Sequence, residues 1–176
     1  MILDLEYYGS PWLRRRLKDV ETIDDDVKQF IEDLKETLDA HNGLGIAASQ
    51  VGRDYRIFLT KCPYKDEKGK WHDGEVKVYI NPKILERSDE MACYDDGCLS
   101  IPGLYSQNIR PRKLVVEALD EHGKPFKITL EDFFAFNFCH EMDHLNGVLF
   151  IDRLDKKTRN KIKPELQRIK KKFAKG

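Results

Sequence analysis

No run of apolar residues in this 176-residue chain approaches the roughly 18 that a membrane-spanning helix requires, so neither a span nor a membrane contact is expected. Net charge is missing too. The 31 Lys and Arg are matched by 31 Asp and Glu, which argues against a uniformly basic nucleic-acid binder. There is no internal repeat, low-complexity tract or Gly/Ser linker. Cysteine is sparse: Cys62, Cys93, Cys98 and Cys139 stand far apart in a chain long enough to be held by burial alone. Cys93 and Cys98 lie five apart in a strand-like segment and would point to opposite faces, so a bridge between them is not expected. The opening MILDLEYYGSPW carries acids where a secretion signal has bases, and it lacks the apolar stretch. The resulting expectation is a cytoplasmic protein, with a monomer as the default.

What is present supports a folded core: 40% of residues are hydrophobic and 10% aromatic. Charge is unevenly placed. Residues 156–176 hold ten Lys and Arg against one acid, Glu165, so the first 155 residues are acidic by nine. The sequence therefore divides into a domain over 1–155 and a basic C-terminal helix or tail of the same domain over 156–176.

Ser10-Pro11 predicts a short helix running to about Leu17. Val27, Phe30, Ile31, Leu34 and Leu38 form one stripe of a helix over 24–41, which Asn42-Gly43 ends. Segments 55–62, 76–82, 91–101, 113–120 and 124–130 read as closely spaced strands separated by turn formers, hence antiparallel. Thr129 is the expected cap of a helix over 131–145 that is apolar nearly all round, the mark of a buried helix. A last helix is expected from about Pro164. The fold class is α+β, with antiparallel sheets around a central buried helix.

That helix ends in His140-Glu141-Met142-Asp143-His144. Two His four apart sit about 40° apart around a helix axis and about 6 Å along it, so both imidazoles can reach one ion. Glu141 beside them can take a proton from water on that ion. Buried His is more often a hydrogen-bonded core residue. Here, however, two His, a Glu and an Asp crowd an apolar helix, and burying unpaired charge costs several kcal/mol per ion. Such a site needs a third ligand and an open position. Asp152, Asp155 and Glu165 lie downstream; upstream, Cys98 in Asp96-Gly97-Cys98-Leu99-Ser100 is the better candidate and would favour a softer transition ion. A third segment, Gly43-Leu44-Gly45-Ile46-Ala47-Ala48-Ser49-Gln50, follows a helix and runs into strand, so it is not a dinucleotide fingerprint. Its small residues suit close approach of another strand, and Gln50 can offer an amide to an oxyanion.

Taken in order, these three segments resemble the signature motifs of the peptide deformylases: G-hydrophobic-G-hydrophobic-A-A-x-Q, E-G-C-L-S and H-E-hydrophobic-D-H. The resemblance spans roughly residues 1–155. It implies an enzyme that removes the N-formyl group from the initiator methionine of nascent chains and releases formate. It implies Cys98, His140 and His144 as ligands of Fe²⁺, with Ni²⁺, Co²⁺ or Zn²⁺ able to substitute. A bound water would lose its proton to Glu141 and attack the formyl carbon, with Gln50 and the Leu99 N–H holding the oxyanion. Gly43 and Gly45 would let an N-formylmethionyl peptide add as a strand. Phe136 and Asn137, with Leu44 and Tyr94, are candidates for the methionine pocket. Arg110 would pair with Asp143.

Asp96 stands where the family has Glu, so a hydrogen bond near the site is expected to weaken or be rerouted. Tyr105 stands where the family often has a substrate-facing Arg. Two rival readings use the same residues: a zincin-like endopeptidase, and an inactive module that only binds formyl-methionyl chains. The basic tail reads first as a solvated, sheet-docked helix, second as a contact with ribosomal RNA or protein, and third, its apolar stripe being narrow, as a membrane-surface helix.

Overall fold

In the computed structural model, which describes residues 1–175, Asp24 starts helix α1 (Asp25–Ala40) by accepting a hydrogen bond from Val27 N at 2.9 Å. The stripe Val27, Phe30, Ile31, Leu34 and Leu38 is buried as its spacing predicts. Asn42, at φ 52°, turns the chain out of the helix and toward β1 (Gly45–Ala47).

Five strands form one antiparallel sheet in the order β1, β2 (Ile57–Thr60), β5 (Lys77–Arg87), β8 (Lys113–Leu119), β9 (Pro125–Glu131). A small ribbon, β3 (Tyr64–Lys65) with β4 (Trp71–His72), is inserted between β2 and β5. A separate hairpin pairs β6 (Met91–Cys98) with β7 (Ile101–Pro111), and its register shifts between Gly97 and Cys98.

Helix α2 (Phe133–Leu145) packs on β1, β2 and β9 on one side and on β6 and β7 on the other. This is why it is apolar nearly all round: most of its side chains are enclosed, and only Phe134 near its start is exposed. Phe138 is 0% exposed and meets Phe58 and Tyr79 edge-on, each at 5.1 Å. Helix α3 (Lys156–Lys172) closes the chain. It buries only Leu166 and Ile169, against Leu13, Ile101 and Phe150, and Phe173 just beyond it stacks on Tyr7 at 3.8 Å.

The structure departs from the sequence reading at four places. The helix expected from Ser10 to Leu17 is a single 3₁₀ turn, Pro11–Arg14, because Leu17 is drawn out as extended chain with its N–H on Leu145 O at 2.9 Å. Thr129 lies inside β9, and the cap position of α2 is Asp132, at φ 54°. The last helix begins at Lys156, not near Pro164, since Asp155 caps it through Thr158 N at 2.7 Å and Pro164 sits within it. The strand read over 91–101 ends at Cys98, and β7 after it was not expected. Two of β7's buried positions are Asn108 and Arg110, so hydrophobic alternation does not reveal it.

Truncating Phe138 to Ala should cost about 3–5 kcal/mol through the cavity it leaves between the sheet and α2. Urea unfolding checks this, and a loss under about 1 kcal/mol would place the core elsewhere.

Candidate active site and metal centre

Two elements bring the three predicted ligands together. The end of β6 supplies Cys98, and α2 supplies His140 and His144 four residues apart. One donor atom from each lies within 4.8 Å of the others. Cys98 Sγ is 3.3 Å from His144 Nε2, close to the edge of about 3.5 Å that a tetrahedral ion with bonds of roughly 2.0–2.3 Å would span. Hydrogen bonds reach Sγ from Gln50 Nε2 at 3.3 Å and Ser100 N at 3.4 Å, both suited to a thiolate. One thiolate and two imidazoles suit a divalent transition ion.

His140 is oriented from behind. Its Nδ1 donates to Asp96 Oδ1 at 2.6 Å, which leaves Nε2 as the free donor atom. Asp96 is 3% exposed, and its Oδ2 accepts from Arg110 Nη2 at 3.0 Å and Asn108 Nδ2 at 3.3 Å. Burial alone would raise the Asp96 pKa, but the His140 hydrogen bond and the charges of His140 and Arg110 outweigh it and hold it at about 2. Asp96, the acid at which a hydrogen bond was expected to weaken or be rerouted, makes a short, charge-assisted bond to His140. Arg110 also meets Asp143 Oδ2 at 2.8 Å, and Arg153 Nη2 takes Asp143 Oδ1 at 2.8 Å. Burial lowers the His144 pKa to about 3, helped by the charge of His140, so it stays neutral and able to ligate.

Glu141 is fully enclosed. Burial pushes its pKa up to about 7, and its Oε2 finds no partner among the described residues. A Cβ at Gly45 would lie 2.9 Å from Glu141 Cδ and 3.0 Å from Cγ. Gly45 is thus glycine because the carboxylate occupies that space, a reason the sequence did not disclose. Gly43 is similarly constrained by Leu38 and Leu99, each with a methyl carbon 2.9 Å from the missing Cβ.

A groove of about 650 Å³ opens over these groups, lined by Gly43, Leu44, Gly45, Gln50, Cys98 and Leu99 on one side. Phe133, Phe136, Asn137, His140 and Glu141 line it from α2. Asn137 serves as an anchor, donating from Nδ2 to Leu44 O at 2.8 Å. Tyr94 stands behind the groove instead of lining it, its ring edge-on to Phe133 and Phe136 at 5.4 and 5.3 Å. Gln50 lies on a 3₁₀ turn, Ala48–Val51, not on the strand expected there. Its Oε1 accepts from Ala47 N at 2.9 Å and its Nε2 also reaches Ser100 Oγ at 3.1 Å. Sequence reasoning missed Asn108, Arg153 and the Tyr7–Phe173 stack, which lines the far end of the groove. Nothing local marks Asn108, since its partners lie 12 and 42 residues away.

The sequence profile of the polypeptide deformylase family matches residues 2–160. The peptide deformylase of Borreliella burgdorferi is 41% identical over 160 residues, covering 91% of this chain and 92% of that one. The crystal structure of a Legionella pneumophila peptide deformylase superposes with a TM-score of 0.85 at 35% identity, over 100% of this chain and 99% of that one. An Ehrlichia chaffeensis peptide deformylase in complex with actinonin gives 0.87 at 32% identity, over 99% of each chain.

Replacing Asn108 with Leu should free Asp96 to tilt and weaken zinc binding roughly tenfold or more, read by chelator competition well below the melting temperature. Unchanged zinc affinity would show that Arg110 alone holds Asp96.

Proposed function

The chain belongs to the polypeptide deformylase family and is a hydrolase that removes the N-formyl group from nascent polypeptides, and from that premise we propose how its residues share the work. The observation that carries the reading is the meeting of Cys98, His140 and His144 donors beside a buried Glu141, whose Oε2 has no hydrogen-bond partner among the described residues, in an open groove.

Cys98 Sγ, His140 Nε2 and His144 Nε2 would hold Fe²⁺, with Ni²⁺, Co²⁺ or Zn²⁺ as substitutes. The ion, when bound, supplies Lewis-acid polarisation to water and to the formyl oxygen. Hydrolysis adds one water across the formamide: the C–N bond breaks, the water oxygen stays with formate, and one proton must pass to the amine. Glu141 takes that proton from the attacking water and delivers it to the leaving nitrogen. Gln50 Nε2 and the Leu99 N–H stabilise the oxyanion. Both Nε2 hydrogens of Gln50 are engaged, toward Sγ and Ser100 Oγ, so one of these contacts is exchanged as negative charge develops. The peptide lies along the Gly43–Gly45 segment, with the methionine side chain against Leu44, Phe133 and Phe136. The rival endopeptidase and binding-module readings have no separate support, since the family match covers the whole site.

Helix α3 is the proposed ribosome contact, a monomer docking through its exposed lysines. Among the described residues no helix is long and apolar enough to cross a membrane, and we place the enzyme in the cytoplasm, where nascent chains emerge.

Glu141→Gln should retain metal and lose about 10²–10⁴-fold of formate release from a formyl-Met tripeptide, while Cys98→Ala should lose both metal and activity. Full activity in Cys98→Ala would remove the thiolate from the site. Anaerobically purified protein should carry iron.

Deleting α3 would uncover Leu13 and Ile101, so the docking test uses point variants. Lys161, Lys163 and Lys171 are exposed, and their joint replacement by Glu should abolish salt-sensitive co-sedimentation with ribosomes while leaving tripeptide turnover intact. Equal sedimentation of both proteins would remove α3 as the contact.

A further inference from the structure

A second cavity, of about 840 Å³, lies on the other flank of α2. Cys139, Met142 and Asp143 of α2 and Asn146 just beyond it line this cavity, and none of the four borders the catalytic groove. Its electrostatic character is the unusual feature. Six cationic side chains and only two carboxylates line it, in a chain whose overall charge is zero.

Two of the six are neutralised, because Arg110 and Arg153 share Asp143 and Arg110 also pairs with Asp96. The side chains of Arg16, Lys83 and Arg87 make no ion pair or hydrogen bond among the described residues. Arg56 is the fixed point. It is 7% exposed, and its Nη1 is pinned by Leu17 O at 3.3 Å, Leu145 O at 3.1 Å and Asn146 Oδ1 at 3.0 Å. Those three partners are neutral oxygens. The carboxylate paired with Arg56 is Asp19, 3.6 Å from Nε and itself 71% exposed to water. A buried guanidinium compensated so weakly is costly unless an anion joins it. Burial, and then the charge of Arg16, push the Arg56 pKa down, as expected where positive charge is in excess. Ile84, Met91, Ile109 and Met142 supply apolar lining between the cations.

We propose that this cavity binds a small organic phosphate carrying two or more negative charges, with one anionic group at Arg56 and Arg16, a second toward Arg87, and the carbon skeleton against Met142 and Ile84 between them. Planar guanidinium groups match phosphate oxygens, and the apolar lining distinguishes an organic phosphate from the bare ion. A nucleic-acid backbone is the less fitting ligand. It would cross the rim on Arg16, Lys83 and Arg87 and would have no use for the recessed Arg56.

The metal-loaded full chain is titrated calorimetrically at low salt with fructose 1,6-bisphosphate, inorganic phosphate and a single-stranded RNA oligomer. The expected result is saturable one-to-one binding of the bisphosphate, weaker binding of inorganic phosphate, and no competition from a formyl-Met tripeptide. The double variant Arg16→Gln/Arg87→Gln changes only exposed residues. It should bind the bisphosphate about tenfold more weakly and keep wild-type formate release. Arg56→Lys, which keeps the charge but loses the fork, should also weaken binding. No saturation by ~10 mM bisphosphate, equal binding by the double variant, or displacement by the tripeptide would each overturn the proposal. So would RNA binding more tightly than the bisphosphate, or inorganic phosphate binding as well as it.

Discussion

A ladder of alternating charges, Arg153–Asp143–Arg110–Asp96–His140, lets α2 be buried at all. The helix carries two His, a Glu and an Asp between two sheets, where an unpaired ion is expensive. Each rung neutralises the next. The ladder runs from a half-exposed arginine at the surface to the Nδ1 proton of a buried imidazole. Its last rung fixes the tautomer of His140 and turns Nε2 toward Cys98 and His144. The same contacts that make the helix tolerable to bury thus set the geometry of the candidate metal centre.

The ladder also explains how a shorter acid is accommodated at position 96. The lost methylene leaves His140 still within 2.6 Å, with Arg110 and Asn108 holding the other oxygen. Asn108 in turn reaches the carbonyl of Phe150, so the hairpin, the reaction centre and the 3₁₀ turn leading to α3 share one buried amide.

Local chemistry was the legible part. The α1 stripe, the buried α2 and the ligand trio could be read because each depends on spacing within one element or on motifs that carry their own chemistry. The strand β7 was not legible. Its inward positions are polar, and they are polar because they serve residues of α2 far away in sequence. The start of α3 was missed for the opposite reason: a proline suggested a boundary, while the aspartate cap nine residues earlier set the real one. Gly45 looked like a site for strand addition, and its stricter role, making room for Glu141, exists only once α2 is folded against β1. Tyr94 was misplaced by one layer, supporting the groove wall from behind.

Tyr7 and Phe173 close one end of the groove by stacking on each other from opposite ends of the described chain. During synthesis Cys98, His140, Glu141 and His144 are all made before Phe173 emerges. A partly made copy therefore holds the candidate site while its groove still lacks the wall that this stack supplies.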